Sequence, residues 1–236
     1  VFFSGCSGRC RFCQNYPISH FGYGDEVGVE RLAEMMLELQ HKGAHNINFV
    51  TPSQFLPHIL AALPAAIEGG LRVPLVYNTS GYERVEALRL LEGVVDVWLP
   101  DAKYADNEAA RRLSGFERYV EHNQAALAEI HRQVGDDLVL GEDGLAVRGM
   151  IVRHLVLPQG LSGTAEVLRR IAKHLSPRVH VSLMDQYFPA HLALGDAILG
   201  RKITAEEYEA ALEAFDAAGL TRGWCQSTMG SEEGYS

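Results

Sequence analysis

The sequence predicts an α/β fold in which βα units build a parallel sheet, a barrel or partial barrel, and three observations carry that prediction. Short runs rich in β-branched and aromatic residues alternate with longer amphipathic stretches along the chain. Turn and capping residues stand at several of the junctions. Polar side chains gather just after the strand-like runs, where the loops of a parallel α/β architecture converge on one mouth. A barrel or partial barrel of 236 residues is one unit, so a single domain over residues 1–236 is expected. The chain opens Val1-Phe2-Phe3-Ser4, strand-like and without an initiator Met, so upstream residues are expected to be missing.

Strands are expected at 1–4, 46–50, 73–78, 95–99, 150–157 and 179–184. Helices are expected at 28–42, 52–68, 83–91, 107–113, 122–134, 164–174 and 205–218. Thr51-Pro52 suits the start of the second helix, and Thr204 with Glu207 three residues on forms a capping box for the last. Gly219 then suits that helix's C-terminus. The Gly- and Asp-rich stretch 135–148 breaks the rhythm and reads as a loop or small hairpin at the N-terminal end of the following strand.

Composition narrows the partners. With 47% hydrophobic and 22% charged residues the balance is that of an ordinary core-forming chain. The net charge of −9 and pI of about 5.6, with no cluster of Lys and Arg, argue against a nucleic-acid partner. No apolar stretch nears the roughly 18–20 residues that span a bilayer, and no charged-then-apolar signal segment opens the chain, so no membrane and a cytoplasmic address are expected. Of four cysteines, Cys6, Cys10 and Cys13 crowd one segment and Cys225 stands far away. That distribution suits metal binding in a reducing compartment better than disulfides.

The strongest chemical signal is Cys6-Ser7-Gly8-Arg9-Cys10-Arg11-Phe12-Cys13, a C-x3-C-x2-C triplet on a glycine-bearing loop after the first expected strand. Thiolates are soft ligands for iron–sulfur clusters and for zinc, and a compact loop with two short spacings can wrap three corners of a cubane. The fourth iron of a [4Fe–4S] cluster would then stay open to a chelating ligand, which separates a catalytic cluster from an electron carrier with four protein thiolates. Gly5 and Gly8 let the backbone fold closely round such a cluster, and Arg9 and Arg11 offset its charge. The competing readings are a structural zinc completed by His20 or Cys225 and a non-catalytic electron-transfer cluster. Zinc rarely uses this spacing at the end of a strand opening an α/β unit.

The triplet resembles the signature of the radical S-adenosylmethionine (SAM) superfamily. The run from Val1 through Tyr16 is similar to the subgroup of pyruvate formate-lyase activating enzyme homologues. So are Phe49-Val50-Thr51-Pro52, Tyr77-Asn78-Thr79-Ser80-Gly81-Tyr82, Leu99-Pro100-Asp101-Ala102-Lys103-Tyr104, Val152-Arg153-His154-Leu155-Val156-Leu157-Pro158, Ser182-Leu183-Met184-Asp185-Gln186-Tyr187 and Gly223-Trp224. The resemblance thus covers nearly the whole chain. It implies a partial (β/α)6 TIM-like barrel, a radical SAM core, with the cluster on Cys6, Cys10 and Cys13 at its mouth and SAM across the strand ends. It implies reductive cleavage of SAM to a 5′-deoxyadenosyl radical, the cofactor carrying the hard chemistry while the protein orients it. It also implies a flavodoxin- or ferredoxin-like electron donor, and a glycyl-radical protein or a small molecule or peptide as the radical's target.

Residue by residue, Phe12 matches an aromatic that packs near the adenine, with a plain loop aromatic covering the cluster as the alternative. Thr51-Pro52 stands where relatives carry a Gly-Gly-Glu-type motif that contacts the methionine amino group. The departure leaves the Thr51 hydroxyl or backbone as the contact and Pro52 as a helix start. Asn78, Thr79 and Ser80, with Gly81, resemble an Asp-Thr-Asn-Gly stretch beside the ribose and methionine, although such residues also make a plain turn. Asp101 and Lys103 resemble an Asp-x-Lys pair whose Lys meets the methionine carboxylate; an exposed ion pair of little worth is the alternative.

Arg153 and His154 interrupt an apolar run, and successive strand residues point to opposite faces. Arg153 is the stronger cofactor candidate, and His154 suits a satisfied core position. Gln186 and Tyr187 are candidates for the adenosine or substrate end, against core packing. Cys225 reads as a small buried hydrophobe. The other histidines show no metal spacing, and no catalytic side chain beyond the cluster ligands is expected.

Overall fold

The computed structural model describes residues 1–225 and 233–235. Its first half runs α1 (Tyr16–Ser19), α2 (Val29–His41), β1 (Ile47–Val50), a 3-10 turn at Ser53–Phe55, α3 (Leu56–Glu68), β2 (Leu75–Thr79), α4 (Val85–Arg89), β3 (Val97–Pro100), α5 (Asn107–Ser114) and α6 (Tyr119–Val134). The second half adds β4 (Val139–Leu140), β5 (Ala146–Leu155), α7 (Thr164–His174), β6 (His180–Met184), α8 (Ala205–Ala217), β7 (Gly223–Cys225) and β8 (Glu233–Tyr235). The sheet order is β1-β2-β3-β5-β6-β7-β8, with every neighbouring pair from β1 to β7 parallel and β8 antiparallel to β7. The expected parallel α/β architecture is therefore present.

Two strand expectations need correction. Residues 1–4 form only an isolated parallel bridge, Phe2 to Val50, because the chain turns away at Gly5, whose φ is +82°. Conversely β7, the last of the parallel set, escaped the sequence reading: three residues are too few to show a period of two. The stretch 135–148 does hold a hairpin, β4 pairing antiparallel with β5. The Thr204 capping box is in place on α8, and Gly219 takes φ +72° just past its end.

Alternation along the strands sorts side chains between layers. On β5, Met150, Val152 and His154 are buried, while Ile151, Arg153 and Leu155 are half-buried. Met150 and Val152 join Leu127, Val167, Leu168 and Ile171 of α6 and α7 in the main core. A second core packs α2 and α3 on β1, through Met36, Ile59 and Leu63 against Ile47 and Phe49. A third, built of Phe12, Tyr104, Leu113, Phe116, Tyr119 and Tyr187, lies under the cysteine loop. Burying one such ring contributes about 1.5–3 kcal/mol, so this aromatic floor fixes the loop's position. Gly8 reflects that closeness, since a Cβ there would meet Phe116 Cζ at 2.6 Å. No helix among the described residues is long and apolar enough to cross a membrane.

Candidate cluster and cofactor site

The cysteine loop is pinned to the end of α5. Arg9 N–H donates to Ser114 O at 2.7 Å, Arg11 N–H to Leu113 O at 2.9 Å, and Cys13 N–H closes a turn on Cys10 O at 3.1 Å. Each half-buried thiol has a polar neighbour: Gly8 N–H donates to Cys6 Sγ at 3.3 Å, Ser114 Oγ to Cys10 Sγ at 3.0 Å, and Ser19 Oγ lies 3.1 Å from Cys13 Sγ. Ser114 is itself held by the Tyr104 hydroxyl at 2.5 Å. Burial pushes the Cys6 and Cys10 thiols up, opposed at Cys6 by the Gly8 N–H and the Lys103 charge, and at Cys10 by Lys103 and Ser114. The same electrostatics make all three sulfurs mutual neighbours.

Three soft donors on one loop, with hydrogen-bond donors at the sulfurs and a cation nearby, fit an iron–sulfur cluster. A zinc ion needs its ligands about 2.0–2.3 Å from a single point. Among the described residues no three His, Cys, Asp or Glu side chains converge on one ion position, so the donor chemistry and its spacing carry the choice of a cluster. Neither proposed fourth ligand is engaged with the loop: His20 Nδ1 meets His191 Nε2 at 3.2 Å, and Cys225 is buried in the main core, its thiol pushed up to about 11 by burial. Of the two arginines, Arg9 eases ionisation of Cys6, whereas Arg11 is paired with Asp196 at 3.2 Å.

The ends of β2, β3 and β5 supply a second group. Asp101 holds Lys103 Nζ at 2.5 Å and Arg153 Nη2 at 2.6 Å, and Arg153 Nη2 also donates to Asn78 Oδ1 at 2.6 Å. Burial would raise the Asp101 carboxyl, but Arg153 and Lys103 outweigh it and hold it below its ordinary value. Burial would likewise lower Lys103, and Asp101 and Cys10 outweigh it, so its ammonium is held above its ordinary value. The Asp101 carboxylate and the Lys103 ammonium therefore stay charged near neutral pH.

Residues the sequence did not flag fix this group from behind. The Tyr119 hydroxyl accepts from Lys103 N–H at 2.9 Å and shares its proton between Ser80 O at 2.9 Å and Asp101 O at 3.2 Å. Asn123 Nδ2 donates to Gly81 O at 3.0 Å and Asp101 O at 2.8 Å. Both sit on α6, whose only hint in sequence is a polar residue on the helix's buried face. Gly81, at φ +68°, is required: a Cβ would meet Asp101 O at 2.1 Å.

The structure thus brings together Cys6, Cys10, Cys13, Asn78, Asp101, Lys103 and Arg153, and it sends other candidates elsewhere. Asn78 and Thr79 lie within β2 rather than after it, so they face opposite ways, and Thr79 Oγ1 donates to the buried Glu83. Tyr187 is turned into the aromatic floor, edge-on to Phe12 at 5.6 Å, its hydroxyl donating to Leu199 O at 2.8 Å. Its polar tip needed a buried acceptor, which the following loop provides. Gln186 is exposed and donates to Met184 Sδ at 3.2 Å. Two candidates stay at the edge of the assembled group: Ser80 is buried beside Tyr119, which also holds Lys103, and Thr51 follows β1 with φ +55°, its N–H on Asn78 O at 3.0 Å. His154 is a core residue, Nδ1 donating to Ala102 O at 2.6 Å and Nε2 meeting Thr164 Oγ1 at 3.0 Å.

Three thiols at the strand ends of a parallel α/β sheet, beside a carboxylate-organised pair of cations, define a protein equipped for soft-ligand metal chemistry at a barrel mouth. A profile of the Radical SAM superfamily matches residues 1–144, and the chain belongs to that superfamily. It is a superfamily of enzymes whose members use a [4Fe–4S] cluster and SAM. The chain is 34% identical over 220 residues to the uncharacterized protein MJ0674 of Methanocaldococcus jannaschii, covering 90% of this chain and 60% of that protein. It therefore spans about 60% of that relative's length. Similar solved folds include a radical SAM methyltransferase from Sphaerobacter thermophilus (TM-score 0.62, 17% identity, 96% of this chain and 66% of that one). The [FeFe]-hydrogenase maturase HydG (TM-score 0.60, 11%, 94% and 50%) and anSMEcpe with bound AdoMet (TM-score 0.59, 11%, 91% and 58%) share the fold as well.

Proposed function

We propose that this chain cleaves SAM reductively, with Cys6, Cys10 and Cys13 as ligands to three irons of a [4Fe–4S] cluster. The observation that carries the reading is the placement of Lys103, ion-paired to Asp101 at 2.5 Å, where its charge acts on both Cys6 and Cys10. When bound, the cluster supplies the electron that breaks the sulfonium–C5′ bond, releasing methionine and a 5′-deoxyadenosyl radical for hydrogen abstraction.

The chain's own residues bind and orient. Lys103 and Arg153 offer cations to the methionine carboxylate, and Asp101, ion-paired to both, holds them side by side. Asn78, Ser80 and Thr51 offer an amide, a hydroxyl and a strand-end backbone to the ribose and amino group. Phe12, which precedes Cys13 and is backed by Tyr187, is the candidate wall for the adenine. Thr79 supports this set from behind the strand, and Gln186 lies on the exposed strand-end loop.

A flavodoxin- or ferredoxin-like protein is the proposed electron donor. A glycyl-radical protein is the proposed recipient of the radical, supported by the likeness of the strand-end motifs to those of activating enzymes. Anaerobic reconstitution followed by dithionite and SAM should yield methionine and 5′-deoxyadenosine. Turnover no greater than that of the triple Cys6→Ala, Cys10→Ala, Cys13→Ala variant would refute cleavage. A glycyl-radical EPR signal in a mixture with a candidate recipient would support activation, and radical-dependent change of a small molecule or peptide instead would replace it.

A further inference from the structure

The turn after β1 and the turn after β2 meet on one buried carboxyl. Glu83 is only 6% exposed, and its Oε1 accepts from Ser53 Oγ at 2.5 Å and from Thr79 Oγ1. Thr79 Oγ1 in turn accepts from Gly81 N–H at 3.3 Å. Among the described residues no cation pairs with Glu83, and its raised carboxyl, pushed up by burial, follows. A buried carboxyl on the turn after β2 that accepts from a hydroxyl of the turn after β1 and from one at the end of β2 tethers the two turns.

The tethered segment is strained and central. Thr51, two residues before Ser53, is a β-branched residue at φ +55°, a conformation that persists only where its surroundings over-determine it. Its N–H is bound to Asn78 O at 3.0 Å. Gln54, one residue after Ser53, donates to Ser4 O at 3.1 Å and Gly5 O at 2.9 Å, directly before Cys6. One short turn therefore touches the base of the cysteine loop, the strand bearing Asn78, and Glu83.

We propose that Glu83 is a positioning residue for SAM: by accepting from Ser53 and Thr79 it locks Thr51 and the Thr79–Gly81 turn in the arrangement that receives the cofactor. This deepens the proposed function and rests on it. The carboxyl acts as a hydrogen-bond acceptor, so a glutamine amide oxygen can replace it.

The test uses the reconstituted holoprotein, with the dissociation constant for SAM from equilibrium dialysis, amide exchange over residues 50–55, and kcat at saturating SAM. Glu83→Ala should weaken SAM binding about tenfold and speed exchange of the turn, with kcat changed far less. Glu83→Gln should bind within about threefold of wild type, and Ser53→Ala, which removes one donor without emptying a buried site, should weaken binding about threefold. Unchanged affinity in both Glu83→Ala and Ser53→Ala, even with a lowered Tm, would overturn the proposal, as would a Glu83→Gln defect as large as that of alanine. Absence of SAM binding by the wild-type holoprotein would overturn the proposed function along with it.

Discussion

Arg153 Nη2 lies 2.6 Å from Asp101 Oδ1, and the two residues face each other across a parallel bridge between the ends of β3 and β5. One contact thereby couples the architecture of the sheet to the charge of the mouth. Asp101 is buried, so removing Arg153 leaves a carboxylate with Lys103 as its one remaining cation among the described residues. Arg153→Met should destabilise the fold by about 3 kcal/mol in denaturant titration, as broken buried pairs do, and Arg153→Lys by less. Lys103→Met, which spares the Arg153 contact, should instead act on ligand affinity, weakening SAM binding by about tenfold or more with a smaller fall in Tm.

Gly81→Ala should be far more damaging than a surface Gly→Ala change. The added Cβ would meet Asp101 O at 2.1 Å and Asn123 Nδ2 at 2.4 Å, in a residue already at φ +68°. Forced movement of the Asp101 backbone should cost about 2–4 kcal/mol and should also shift the Lys103 N–H contact with Tyr119. Gly93→Ala, where φ is +74° and no atom lies within 4 Å, isolates the strain alone and should cost about 1 kcal/mol. Equal Tm values for the two variants would contradict the close approach.

His154 gives the fold an acid-side weakness. Burial lowers its pKa from 6.5 to about 4, so the unfolded chain binds a proton more readily than the native one between those values. Stability is therefore whole above pH 6.5 and is lost as pH falls through that window. At about 1.4 kcal/mol for each pH unit of separation, the loss below pH 4 reaches about 3 kcal/mol. Denaturant midpoints measured against pH should show this slope in wild type and a shallower one in His154→Gln.

Glu83 works in the opposite direction. Its carboxyl is raised above 4.5 by burial, so its contribution is complete below that pH and declines as pH rises through the native value. Glu83→Gln cannot ionise, and its Tm relative to wild type should climb as pH rises from 4.5, the ordinary carboxyl value, through the raised native one. A constant difference across that range would show that the native and unfolded carboxyls titrate alike.

Much of the fold was legible because its signals are local. The period of two in β5 and β6, the 3.6-residue period of α2 and α7, and the Thr204 capping box each depend on residues within one element. The cysteine triplet was legible for the same reason, since three cysteines fall within eight residues. Asp101 and Lys103, two positions apart, were legible as strand-end polar residues, their ion pair only as the alternative reading.

What the sequence alone determined, then, is the parallel α/β architecture, the soft-ligand loop and the strand-end polar positions. Only the tertiary structure decided which of those positions share a space. Thr79 and Asn78 are neighbours in sequence yet part company, one toward Glu83 and one toward Arg153, because a strand turns successive side chains to opposite faces and the phase of β2 depends on its register with β1 and β3. Tyr119, Asn123 and Ser114 support the site from 16 to 104 residues away from the atoms they hold. Contacts at such separations arise from packing α5 and α6 against the strand ends, and no spacing within a single element encodes them.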